Sequence, residues 1–113
     1  MALGKETIEH IESVMSKYIE SIRPKAEIRD QLDIAYRIEG QSVIIYEKRR
    51  HMDGEPYENP IAKATYVGTR KVWKIFWKRA DLKWHGYDPK LEVKAIEKFI
   101  EQVEKDEYSC FWG

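Results

Sequence analysis

The hydrophobic period of this chain changes twice, and those changes constrain the fold more than any other feature. Over residues 6–23, Ile8, Ile11, Met15, Tyr18, Ile19 and Ile22 recur at spacings of three and four, which puts them on one stripe of a helix. Glu6, Glu9, Glu12 and Lys17 fall largely between them, and the early glutamates suit the positive end of the helix dipole. Pro24 ends the pattern, because a proline pushes the residue before it out of the helical region.

From residue 31 the period drops to two. Leu32, Ile34, Tyr36 and Ile38 alternate with Asp33, Ala35, Arg37 and Glu39, so 31–39 reads as a half-buried strand. Gly40-Gln41 makes a tight turn, and Val43 to Lys48 returns as a second strand. Its run Val43-Ile44-Ile45-Tyr46 is apolar on both faces, which places it centrally. Residues 61–67 and 71–78 form two more strands, turning at Gly68-Thr69-Arg70. In the last of them Trp73, Ile75 and Trp77 share one face, and Val72 and Phe76 share the other.

The helical period returns over about residues 91–106, with Val93, Ile96, Phe99, Ile100 and Val103 as its stripe. Asp88-Pro89 suits a helix start, since Asp caps and Pro is tolerated in the first turn. The tail EYSCFWG is aromatic, so Phe111 and Trp112 are expected to dock on the body. Between these elements, 49–60 (RRHMDGEPYENP) and 79–90 (RADLKWHGYDPK) lack periodicity and read as irregular loops. The expected fold is α+β: a four-stranded antiparallel meander flanked by an N-terminal and a C-terminal helix, α-β-β-β-β-α, in a single domain spanning 1–113. The expected core is Ile11, Met15, Ile19, Ile34, Tyr36, Ile45, Tyr66, Trp73, Ile75, Trp77, Ile96, Ile100 and Val103.

With 20 basic and 20 acidic residues the net charge is zero, which gives no global pull toward nucleic acid or a membrane. The distribution is uneven. Residues 1–47 hold six basic and nine acidic side chains, residues 48–90 eleven and five, and residues 91–113 three and six. A basic middle therefore sits between acidic ends. Lys48, Arg49, Arg50, Lys63, Lys74, Lys78, Arg79 and Lys83 carry much of the positive charge, interleaved with Trp73, Trp77 and Trp84. Cations attract phosphates and flat rings stack on bases, so such a sheet suits a single strand of nucleic acid. The plainer reading is a solvated face whose lysines discourage edge pairing and cover tryptophan rings.

No apolar run approaches the length of a membrane helix, so no membrane partner is expected. The single Cys110 cannot make an internal disulfide, and a reducing, cytoplasmic setting fits. It lies among aromatics, as a buried thiol rather than a nucleophile.

Two clusters are candidate sites. The first is Arg79, Asp81, Lys83, Trp84, His85 and Tyr87, where a histidine four residues from a carboxylate suits proton transfer. Its plainer alternative is a structural turn, with Asp81 capping backbone amides and pairing with Arg79, and Trp84 under the last helix. The second is Arg49, Arg50, His51 and Asp53. If that loop folds over 79–88, His51 and His85 meet, and with Asp53, Asp81 or Asp88 they would suit a divalent metal. No paired-cysteine or HExxH spacing supports that, so no metal, cofactor or catalytic residue is assigned. Asp33, Glu47 and Arg49 loosely follow a metal-dependent nuclease pattern. Arginine is a poor proton carrier where that chemistry needs lysine, and the later helix–strand crossover is missing.

The stretch PIAKATY, then KVWKIFWKRADLKWHGY, then an acidic helix and a terminal FWG, resembles the bacterial domain-of-unknown-function family 3024. The resemblance covers about residues 30–113 and is most specific at WKRADLKWHGY, while the N-terminal helix is generic. It implies a bacterial cytoplasmic protein and no catalytic residues. The expected function is therefore a binding domain whose basic, aromatic surface meets an acidic partner such as nucleic acid. The alternatives are a structural or protein-interaction module acting as a homodimer through its sheet face or acidic helices, and a small metal-dependent hydrolase at 49–60 and 79–88.

Overall fold

A computed structural model describes residues 3–112. Helix α1 spans Lys5–Ile22 and helix α2 spans Ile96–Lys105. Between them run β1 (Leu32–Glu39), β2 (Ser42–Arg50), β3 (Pro56–Val67), β4 (Val72–Lys78), β5 (Trp84–Gly86) and β6 (Glu92–Val93). The fold is α+β with an antiparallel sheet and a helix at each end. The sheet is ordered β1-β2-β3-β4-β5, and β6 pairs with the same edge of β4 further along.

The expectation of four strands is corrected here. β5 and β6 together form a broken fifth strand along β4. The Ile75 carbonyl accepts the Tyr87 N–H and the Ile75 N–H donates to the Leu91 carbonyl, both at 2.9 Å. Between those contacts the chain bulges out as a 3₁₀ turn over Asp88–Lys90. Neither piece is long enough to show alternation. Pro89 at the start of that turn fulfils the expected start signal, but for one 3₁₀ turn rather than the long helix, which begins at Ile96 instead of 91.

The 49–60 segment is also corrected, from a loop to the tip of a long hairpin. Arg49 and Arg50 pair with Tyr57 and Pro56, and a short turn closes where the His51 N–H donates to the Glu55 carbonyl. Pro60 is tolerated inside β3 because the register shifts there: Ile45 faces Ala62 and Tyr46 faces Pro60, leaving Ile61 as the extra residue of a bulge.

Both helices lie on one sheet face. Ile11, Met15, Ile19, Phe99 and Val103 close over Val43, Ile45, Ala62, Ala64, Trp73 and Ile75. The two alanines are the small positions that let helices approach the sheet, and Phe99 fills space above them without exposure. Ile34, Tyr36, Tyr66 and Trp77 pack against this core but stay partly exposed. Phe111 docks as expected, its ring centroid 4.8 Å from that of Tyr87. Asp106 caps α2 in the left-handed region, and its carboxylate accepts the N–H groups of Phe111 and Trp112 at 3.0 and 2.9 Å. No helix of the described residues is long and apolar enough to cross a membrane.

Candidate nucleic-acid interface

Directly paired residues of an antiparallel sheet point to the same side, so the register assigns every strand residue to a face. The face away from the helices carries Arg37 on β1, Ile44 and Tyr46 on β2, Lys63 and Thr65 on β3, Lys74, Phe76 and Lys78 on β4, and Trp84 and Gly86 on β5.

Its centre is Lys63. The Nζ stands 4.9 Å from the ring centroid of Phe76 and 4.9 Å from that of Trp84. Lys63 sits opposite Phe76 across β3 and β4, and Trp84 sits opposite Lys78 across β4 and β5. One cation thus lies between two rings on neighbouring strands, held to their electron-rich faces. Burial pushes the Lys63 ammonium below its ordinary pKa. Among the described residues Lys63, Lys74 and Lys78 make no salt bridge, whereas Arg37 is spent on Glu39 and Glu58, and Arg70 on Glu92. The face is therefore neutralised near β1 and left positive around Phe76 and Trp84. Arg37 also lies over the Tyr46 ring at 4.8 Å, which explains why Tyr46 is buried without a helix above it.

The residues singled out from the sequence are not gathered into one place. Arg49 pairs in a fork with Glu47 on the helix-side face, at 2.9 and 3.2 Å. Arg50 binds Asp30 and the Gly54 carbonyl, and His51 stacks on Tyr57 at 4.1 Å at the hairpin tip. The two histidines are far apart. His85 is level with Ala62 through Trp77, while the tip lies about six residues further along β3. That separation is about 20 Å along the strands at the usual rise per residue. His51 and His85 therefore do not meet, and no three His, Cys, Asp or Glu side chains gather as metal ligands among the described residues.

Asp81 and His85 do meet. Asp81 Oδ2 lies 2.8 Å from His85 Nε2, and Asp81 Oδ1 accepts the Lys83 N–H at 2.9 Å. A hairpin turn brings them together: the Leu82 N–H donates to the Arg79 carbonyl, with Leu82 at a φ of 63°. The Lys83 amide and then His85 hold the Asp81 carboxyl below its usual range. The structural alternative for this cluster is thus correct about the cap and wrong about its neighbours. Arg79 lies over Trp77 at 5.6 Å instead of pairing with Asp81, and Trp84 sits on the face away from the helices. Tyr87 is corrected outright: at 1% exposure it belongs to the core and offers no binding surface.

Of the residues in the two candidate clusters only Trp84 lies at the centre of the open face. Lys63 and Phe76, its partners, were missed as site residues although their parity was visible in the sequence. What was missing was the register that sets Lys63 beside Phe76, and β5, which carries Trp84 alongside. Cys110 is partly rather than fully buried, and burial raises its thiol pKa.

The chain belongs to the family described as a domain of unknown function (DUF3024), whose model matches residues 3–113 and so takes in the N-terminal helix as well as the strands. No curated protein and no solved structure matches it.

Proposed function

We propose that this member of the family is a binding domain, and that its open sheet face holds a flexible acidic partner, single-stranded nucleic acid, by stacking and charge together. The observation that carries the reading is Lys63 set between Phe76 and Trp84 on the face without helices, with Lys74 and Lys78 beside it and none of the three in a salt bridge among the described residues, where Glu92, opposite Lys74, pairs with Arg70 instead. A purely structural surface gains from neutralising its cations, as Glu39 and Glu58 neutralise Arg37 on the same face. A face for phosphates keeps them free, and rings beside them give bases something to stack on. A bacterial cytoplasm suits the reading, since Cys110 has no partner for an internal disulfide.

The test is fluorescence anisotropy of a labelled single-stranded oligonucleotide at low salt. Binding is expected for the wild type and should weaken by about 1–3 kcal/mol in Trp84→Ala, the usual worth of one stacked base. A wild type that leaves the anisotropy unchanged at every concentration would sink the proposal.

A further inference from the structure

Beside this patch the open face drops into a cleft of about 680 Å³, between Phe76 and the bulge that separates β5 from β6. Its floor exists because of one glycine. Gly86 faces Phe76 directly across β4 and β5, so the residue opposite the ring places no side chain of its own against it, and Leu91 borders that flank from outside. A glycine inside a strand marks a close approach to the backbone. The outer wall is the Asp88–Lys90 turn and Leu91, whose side chain is 54% exposed. Lys74 and Lys90 line the cleft together with two acids, Asp88 and Glu92; Glu92 stands opposite Lys74 in the β4–β6 pairing but is ion-paired with Arg70.

Resting on the binding reading above, we infer that this cleft seats one unstacked nucleotide of the bound strand, its base against Phe76 and its phosphate toward Lys74 and Lys90. A volume of that size falls within the range of ordinary small-ligand sites. The consequence is a preference for strand type. A base inside a duplex is stacked and paired and cannot enter, whereas a single strand delivers one at the cost of local unstacking alone. Charge by itself gives no such preference, because a duplex carries the denser phosphates.

The variant that isolates the cleft is Gly86→Val. A Cβ at that position comes within 3.2 Å of Leu91 Cδ2 and is otherwise unobstructed, so the exposed leucine yields and the cleft fills. Lys63 and Trp84 are untouched, and a β-branched residue suits a strand. Gly86→Val/Leu91→Ala removes the contact altogether, should the single variant fail to fold. Oligonucleotide, the matching duplex and inorganic polyphosphate are titrated against wild type and against the folded variant. The wild type should prefer the single strand to the duplex, and the variant should lose about tenfold in single-strand affinity, in line with one lost stacked base, with polyphosphate binding unchanged. A folded variant that binds the oligonucleotide as the wild type does would overturn the cleft assignment while leaving the face intact. Equal affinity for single strand and duplex would also overturn it. Absence of oligonucleotide binding by the wild type would remove the binding reading and this inference with it.

Discussion

The Lys63 ammonium stands 4.9 Å from the ring centroid of Trp84. Phe76 holds it from the other side at the same distance, and burial lowers its pKa. A partly desolvated charge with no acid partner costs folding energy, offset only in part by the two rings. Lys63→Met keeps the apolar stem and deletes that charge. It is expected to match or exceed the wild type in urea unfolding at pH 7, while binding oligonucleotide more weakly. Loss of both stability and binding would mean that Lys63 is a structural residue.

The tail depends on Asp106. It holds a φ of 39°, and its carboxylate accepts the Phe111 and Trp112 amides, one on each oxygen. Asp106→Gly keeps the backbone conformation and removes the acceptor. Unfolding should then be easier by about 1–3 kcal/mol, with red-shifted tryptophan emission as Trp112 leaves its seat near Tyr18 and Ile22. Unchanged stability and emission would show that the tail docks through Phe111 alone.

Acid should weaken the junction where α1 meets β1. Arg23 clasps Asp33 through Nε at 3.0 Å and Nη2 at 2.8 Å, and the Ile34 N–H adds a third bond. Arg23 in particular holds the Asp33 carboxyl below its ordinary value. A carboxyl with a depressed folded-state pKa stabilises the fold above its unfolded pKa, and that contribution disappears as pH falls through the folded value. Asp33→Asn should therefore be less stable than the wild type at pH 7, and the gap should close below about pH 4. A gap that stays constant across that range would contradict the ion-pair account.

The two sheet-face tryptophans of β4 should differ. Trp73 is 4% exposed, while Trp77 only borders the core, under Arg79. Trp73→Ala should cost about 3–5 kcal/mol, and Trp77→Ala distinctly less, by thermal or chemical unfolding. Equal costs would mean that the edge around Trp77 is better covered than its packing indicates.

These residues also show what was legible in the sequence. Strong periods carried: α1, β1, the β2 run and the parity of β4 follow from spacing, because each buries a long, regular apolar face. The broken fifth strand did not. Trp84–Gly86 and Glu92–Val93 are too short to repeat a pattern, and only their pairing with β4 makes them strands. Val93 illustrates the cost, since it fits a helical stripe with Ile96 and Ile100 yet pairs with Trp73 in the sheet. The hairpin tip was hidden by Pro56 and Pro60, which a bulge and a strand start accommodate. For the candidate site, the basic, aromatic character of the middle of the chain was readable. Which rings meet which cations depends on register across three strands, and no local pattern encodes that.

Lys63, Lys74 and Lys78, grouped around Phe76 and Trp84 with no salt bridge among the described residues, are proposed to form a face for a single strand. The most direct test of that proposal is the salt dependence of oligonucleotide binding in wild type and in Lys63→Ala/Lys74→Ala/Lys78→Ala. Three lysines displacing counterions from a single strand predict a slope of log K against log salt of about −2. The triple variant should make the slope shallower by about that amount and weaken binding at low salt. Wild type and variant with the same slope and the same affinity would place the binding elsewhere on the molecule and contradict the account.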